Sequence, residues 1–334
     1  MGHHSHRKAY QDLQRHIDKL PATMPDTPRT RAILRMLFTP EEAALVSRLP
    51  LKPRSSWVIA RHLGENPETL KLRLDKLADR GLILDVYNEK KDRTYYCIAP
   101  PVVGFVEFSL MRVRDDIDQK TLSHTYEEFF EKDRIFGEQL FGGDTKIGRA
   151  IVHEDQLEPD DVSELLTYDR ASAIVDEAHA LAVGICYCRH KAEHLDHACD
   201  APQRNCLSLN RGAEYVIRHH HAERIDKVEA QELLVQAREH GLVHIADNVK
   251  RRVTYICNCC GCCCGQLQAI NRYGMEGAVK TSAYMADIDS DKCTGCGRCA
   301  RKCPVQAIEI RPLPPHIKRK ARMYSKIDER VCLG

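Results

Sequence analysis

The sequence predicts a multidomain α+β protein whose metal chemistry lies toward its C-terminal end. Three observations predict it. Residues 39–99 carry three amphipathic helical patterns followed by two alternating strands. All sixteen cysteines except Cys97 lie beyond residue 185. Near the end, Cys293, Cys296, Cys299 and Cys303 precede Pro304 in a C-x2-C-x2-C-x3-C-P run. These features divide the chain into an N-terminal helical arm (1–38), a helix-and-hairpin domain (39–115), a helical connector (116–180), a cysteine-rich α+β domain (181–285) and a small cysteine-loop module (286–334).

The bulk numbers limit the classes. A chain of 334 residues with 43% hydrophobic content can bury several cores. A net charge of +2 points to no particular partner. There is no secretory signal pattern and no apolar run near 18 residues, so a cytoplasmic location is expected. In a reducing compartment dense cysteine reads as metal ligands, not disulfides. No C-x-x-C-H supports covalent haem. No G-x-G-x-x-G follows a strand, and no hydrolase triad signature is present. The His-rich start, MGHHSHRK, has no metal-ligand spacing.

Helices are expected over 8–19 and 28–38, separated by the Pro-broken stretch PATMPDTP. Thr39 can cap the next helix, with Pro40 at its first position and Glu41 and Glu42 in its first turn. A second runs over Ser55–Leu63 and ends at Gly64. A third runs over Pro67–Arg80, with Leu70, Leu74 and Leu77 on one stripe and Gly81 as its stop. Leu82–Tyr87 and Arg93–Ile98 alternate as strands around the polar tip NEKKD. This order resembles a winged helix-turn-helix domain. The resemblance implies that DNA is a candidate partner, through Thr69, Lys71, Arg73 and Lys76 on the third helix and Lys90, Lys91 and Arg93 on the wing. Glu68, Asp75, Asp79, Glu89 and Asp92 share those surfaces, so a charged protein-docking face is the other reading.

The connector continues with Phe105, Phe108, Leu110, Met111 and Val113, then Tyr126, Phe129, Phe130, Phe136 and Phe141, a pattern of core packing. A strand is expected over 149–153, and helices over Val162–Leu166 and Ala171–Ala182.

The cysteine-rich domain holds Cys186, Cys188, Cys199 and Cys206, then Cys257, Cys259, Cys260, Cys262, Cys263 and Cys264 in CNCCGCCC. A helical spacer over 211–241 and a strand pair around Leu242–Ile245 and Val253–Ile256 can bring the two sets together. Ten thiols exceed what one tetrahedral zinc site uses. A second iron–sulfur site is therefore expected, with zinc as the alternative. His190, His194 and His197 are spaced to share one helical face, as ligands or as an exposed polar surface. His219, His220 and His221 read as a solvated helix.

In the C-terminal run, two-residue gaps let a tight loop aim successive thiolates at one small object. Gly295 and Gly297 let the backbone curl closely. A zinc knuckle or paired disulfides is the competing reading, but three such gaps closed by Cys-Pro favour [4Fe–4S]. Residues 286–312 resemble one half of a two-cluster bacterial ferredoxin: a strand (Ala286–Ile288), the loop, a helix near Val305–Ala307 and a strand (Ile308–Ile310). IDERVCLG at 327–334 repeats IDSDKCTG at 288–295. The resemblance implies that Cys293, Cys296 and Cys299 hold one cluster, while Cys303 and Cys332 belong to a second whose other ligands lie beyond Gly334. The chain is thus expected to be a piece of a longer protein.

Taken together, CYCRH, CDAPQRNC, GLVHI, CNCCGCCC and the terminal run resemble a family of 4Fe–4S ferredoxin-type proteins of anaerobic bacteria and archaea. The likeness covers about residues 30–334. It implies an electron carrier or redox subunit more than a stand-alone enzyme, passing electrons through [4Fe–4S] clusters to a partner protein. Arg298, Arg301, Lys302 and IKRKAR at 317–322 are the candidate docking cations. The alternatives are a redox-sensing DNA-binding regulator and an oxidoreductase acting at the cysteine-rich domain. The sequence is silent on oligomeric state.

Overall fold

The computed structural model describes residues 2–154, 157, 169–313 and 322–334. Its N-terminal helices are α1 (Gly2–Ile17) and α2 (Pro28–Leu37). Leu13, Ile17, Ile33, Leu34 and Leu37 are fully buried. Helix α3 (Pro40–Val46) starts at the expected cap, Thr39, which accepts from the Glu42 amide; the Glu42 carboxylate accepts from the Thr39 amide in return, a reciprocal pairing that the sequence reading did not name. Helix α4 (Ser56–Leu63) ends at left-handed Gly64, and α5 (Pro67–Asp79) is capped by Asn66. The Leu70, Leu74 and Leu77 stripe is buried. Strands β2 (Ile83–Asn88) and β3 (Arg93–Ile98) pair antiparallel. A two-residue strand that the pattern did not signal, β1 (Arg54–Ser55), adds to β3, giving the order β1-β3-β2.

Helix α6 (Val106–Phe108) closes the 39–115 domain, and the connector contains α7 (Gln119–Lys132) and α8 (Arg134–Phe141). Phe105, Tyr126, Phe129 and Phe136 are almost wholly buried, with Phe129 and Phe136 rings 4.5 Å apart. Val113 is 77% exposed and falls off the stripe. These aromatics belong to a core shared by the front half, the connector and the C-terminal module.

A six-stranded antiparallel sheet follows, in the order β4-β8-β9-β6-β5-β7. Its members are β4 (Gly148–Ile151), β5 (Leu181–Ile185), β6 (Arg204–Leu209), β7 (Glu223–Arg224), β8 (Val243–Asp247) and β9 (Tyr255–Cys259). The helix expected over Ala171–Ala182 stops early: α9 is Ala171–Glu177, and Leu181 onward is strand. Leu181, Ala182 and Val183 are consecutive buried residues, the signature of a strand covered on both faces. Helix α10 is Tyr187–His194. The 211–241 spacer is two helices, α11 (Asn210–Arg218) and α12 (Lys227–Glu239), parted by β7. The helix expected over Val162–Leu166 lies outside the described residues.

The histidine triplet departs from expectation. His219 and His221 are buried and only His220 is exposed. Helix α11 ends at Arg218, and His220 takes φ +55, which turns its neighbours inward.

After α13 (Gly265–Tyr273), the C-terminal module has α14 (Arg298–Lys302) and a hairpin of β10 (Ile308–Pro312) with β11 (Met323–Ile327). Two expectations fail here. The partner of β10 is β11, and 286–288 forms no strand. The helix lies inside the cysteine run instead of at Val305–Ala307, where Gln306 at φ +55 breaks a helical path.

Candidate iron–sulfur and thiolate sites

The C-terminal loop folds around left-handed glycines. Gly295 has φ +69, and a Cβ there would overlap the Met323 carbonyl. Gly297 has φ +72. The loop lies against β11: the Ser325 amide donates to Cys293 Sγ at 3.4 Å, and Ser325 Oγ lies 3.2 Å from Cys299 Sγ. The Ala307 amide donates to Cys303 Sγ at 3.3 Å. Cys296 is exposed, and the Arg298 amide holds its thiol below the ordinary value. Arg298, Arg301 and Lys302 are exposed beside it. Of the second candidate docking run only Arg322 is described. The donor set fits an iron–sulfur cluster: soft thiolates on a tight loop, with backbone amides directed at sulfur.

The sequence repeat is also a repeat in space. The Cys293 amide donates to Asp289 O at 3.0 Å, and the Cys332 amide donates to Asp328 O at 3.0 Å. Within each turn the aspartate Oδ1 accepts an amide two residues on, from Asp291 at 2.9 Å and Arg330 at 3.1 Å. Cys303 and Cys332 both pack at the edge of the shared core, whereas Cys296 is exposed.

The ten thiols of the sheet domain fall into two sets. In the first, contacts run from Cys186 to Cys188, Cys264, Cys259, Cys257 and Cys206. Strand β6 supplies Cys206 and β9 supplies Cys257 and Cys259. Cys186 and Cys264 are the N-caps of α10 and α13, where helix dipoles favour thiolate. These sulfurs line a mostly apolar chamber of about 300 Å³ together with Glu107, Tyr187 and Arg189. The contact from Cys206 holds the Cys257 thiol well below its ordinary range, and that from Cys188 holds Cys264 at about 5. Their neighbours Cys186, Cys188, Cys206 and Cys259 are pushed up. Burial lifts the Glu107 carboxyl to about 7.

In the second set, the sulfurs of Cys199, Cys260, Cys262 and Cys263 all lie within 4.8 Å of one another. The turn carrying the last three touches the C-terminal loop. A Cβ on Gly261 would overlap Pro304 O, and Asn271 Nδ2 donates to both Gly261 O (3.2 Å) and Pro304 O (2.9 Å). Sequence reasoning named the cysteines but missed this clamp, whose only trace was the lone glycine in CNCCGCCC. It also missed Arg189, visible only as the R of CYCRH.

His190, His194 and His197 do not share one face. His190 is buried with Nδ1 2.8 Å from Leu110 O, its ring 4.7 Å from that of His194. Helix α10 ends at His194, Asp196 takes φ +57, and His197 is exposed. Among the candidate DNA contacts, Lys71 pairs with Asp75 at 2.7 Å and Arg73 with Glu65 at 2.6 Å. Thr69, Lys76, Lys90, Lys91 and Arg93 are exposed.

Comparison with known proteins places a class on this geometry. Residues 286–309 match the 4Fe-4S binding domain family. The chain therefore carries a ferredoxin-type iron–sulfur domain. A stretch of 35 residues is 49% identical to a subunit of the ion-translocating oxidoreductase complex of Methanosarcina acetivorans. That match covers 10% of this chain and 13% of the relative. No solved structure matches the chain. No described helix is long and apolar enough to cross a membrane.

Proposed function

We propose that the protein is a redox subunit that carries single electrons between the C-terminal iron–sulfur site and a second iron–sulfur site that the thiols of the sheet domain would hold. The carrying observation is the Gly261–Pro304 contact. It joins the residue after Cys303 to the turn between Cys260 and Cys262, and Asn271 bonds both carbonyls. Cys293, Cys296 and Cys299 would hold one [4Fe–4S] cluster, which supplies one-electron chemistry when bound. Cys303, together with Cys332 on the turn that matches that of Cys293, would serve a second. The Ser325 and Ala307 amides stabilise charge on sulfur. The exposed Arg298, Arg301 and Lys302 suit an acidic partner protein, and the likeness to a subunit of an oxidoreductase complex supports work within such an assembly. The helices and β1-β3-β2 sheet of 39–99 support reading that part as a winged-helix module. Because Lys71 and Arg73 are already paired with carboxylates, a protein-docking role suits it better than DNA.

The test is anaerobic iron and sulfide analysis, with EPR before and after reduction, on the chain and on Cys296→Ser. Iron, sulfide and a reducible signal are expected in the chain, and the share of them owed to the C-terminal cluster is expected to be lost in the variant. A chain that takes up neither element rejects the proposal.

A further inference from the structure

We infer that Cys199, Cys260, Cys262 and Cys263 form a separate mononuclear site, a tetrathiolate for one thiophilic divalent ion, zinc or ferrous iron. The sulfur spacing carries the inference. An ion bonded tetrahedrally to four sulfurs at about 2.3 Å holds them about 3.8 Å apart. Here Cys199 Sγ and Cys260 Sγ are 3.6 Å apart, Cys262 Sγ and Cys263 Sγ are 3.7 Å apart, and all four lie within 4.8 Å of one another. Sulfurs that each bound a different iron of a cubane would stand farther apart. A disulfide needs about 2.05 Å, so these pairs are unlinked.

The elements are arranged for one small ion. Cys199 comes from the loop after α10, and the other three from the turn that closes β9. Cys260 and Cys263 are buried, Cys199 is half-buried, and Cys262 is exposed, giving a site closed on one side with a route for the ion on the other.

A second observation is Arg189. It is fully buried, and none of the described ion pairs gives it a carboxylate. Nη1 donates to Pro202 O and Asn205 Oδ1, and Nη2 donates to Asn258 O at 2.7 Å. Nε has no nitrogen or oxygen partner among the described residues, and the guanidinium bonds to Cys199. A buried guanidinium needs a counter-charge. The anionic candidates that act on it are sulfurs, Cys186 of the first set and Cys260 and Cys199 of this one. Four thiols that bind a divalent ion and release their four protons to solvent leave a site with net charge −2, and Arg189 offsets half of it.

The inference stands whether or not the C-terminal loop carries electrons. It is tested on the full chain, kept reduced and anaerobic, with one equivalent of Zn²⁺ or Fe²⁺ and no sulfide. Native mass spectrometry counts the ions, and alkylation followed by peptide mapping finds the protected thiols. One ion per chain, with Cys199, Cys260, Cys262 and Cys263 protected, is the expected result. Competition between the two ions shows which is preferred. Cys262→Ser, at an exposed position, should weaken retention by roughly tenfold or more. Cys296→Ser should leave this ion in place while removing the C-terminal cluster, so the two readings fail separately. Protection of the Cys186–Cys206 set instead, retention indifferent to Cys262→Ser, or binding that requires sulfide would each overturn the inference. The protection map of the unmodified chain decides even if the variant misfolds.

Discussion

Asp85 on β2 and His219 after α11 meet across the junction between the front half and the sheet domain, with His219 Nε2 2.9 Å from Asp85 Oδ1. The other ring nitrogen lies 2.7 Å from Asp79 Oδ1, and Arg218 Nη2 donates to Asp85 Oδ1 at 2.7 Å. Burial alone would raise the Asp85 carboxyl. The hydrogen bonds from His219 and Arg218 outweigh it and hold the group below the ordinary carboxylate range. Tyr215 extends the seam by donating to Ile83 O at 2.8 Å. The two halves are thus keyed together by the buried Asp85, His219 and Tyr215, with Asp79 and Arg218 joining from the solvent side.

Asp85→Ala should therefore destabilise the fold by about 3 kcal/mol, since it leaves His219 and Arg218 facing an uncompensated buried position. Asp85→Asn, which keeps a hydrogen-bonding oxygen, should cost less. Urea denaturation of both variants checks the order, and equal costs would show that shape matters here and charge does not.

Stability should fall in mild acid, with two buried histidines acting against the opposing effect of Glu107, which burial lifts to about 7 and which favours the folded state as it protonates. Burial pushes His221 down to about 2 and His244 down to about 3, with Arg112 and His153 adding to the respective shifts. Between those values and about 6.5 the unfolded chain takes up protons that the folded chain refuses, so the folded state loses about 1.4 kcal/mol per ring for each pH unit lost. Asp85 acts in the same sense at lower pH, because its folded value is depressed and its contribution disappears as it protonates. His221 stacks on Phe108 with ring centres 5.3 Å apart and has no partner on either nitrogen among the described residues. His221→Phe should keep the stack and flatten the slope between about pH 4 and 6 by about 1.4 kcal/mol per unit. An unchanged slope would assign the acid sensitivity elsewhere.

How much of this was legible follows from range. The Thr39 cap, the Gly64 stop and the Leu70–Leu74–Leu77 stripe are local signals, and each lies where the sequence places it. The C-terminal cysteine loop is equally local. The His219–Asp85 contact spans 134 residues and left no pattern, so the triplet HHH read as solvated. The division of the ten thiols failed for the same reason. Cys199 and Cys260 are 61 residues apart and are joined by how α10 and β9 lie together, whereas Cys259 and Cys260 are neighbours that face different sets. The strand after Glu177 was missed because its residues are apolar on both faces and show no alternation.

The Gly261 clamp should be sensitive to a single methyl. Gly261→Ala places a Cβ against the Pro304 carbonyl, which is backbone and cannot swing aside. The C-terminal loop should loosen from the sheet while each part keeps its own fold. Limited proteolysis should cut faster near 304, and electron equilibration between the two regions should slow. Asn271→Ala, which removes both hydrogen bonds without a clash, should act in the same direction more weakly. Unchanged proteolysis in both variants would show that the contact is incidental.

Ser325 offers the cleanest handle on the C-terminal site. It is buried, its hydroxyl lies 3.2 Å from Cys299 Sγ and 3.8 Å from Cys293 Sγ, and its amide donates to Cys293 Sγ. A hydrogen bond to a ligand sulfur favours the more negative, reduced state, so it raises the potential. Ser325→Ala removes the hydroxyl and keeps the amide. A net hydrogen bond of about 1 kcal/mol corresponds to about 40 mV for one electron, and only the part that differs between redox states counts. The expected shift is thus about 20–40 mV toward more negative values, read by EPR-monitored redox titration, with iron and sulfide content unchanged. A shift of the opposite sign would mean that the hydroxyl accepts from its surroundings and turns its lone pairs toward sulfur.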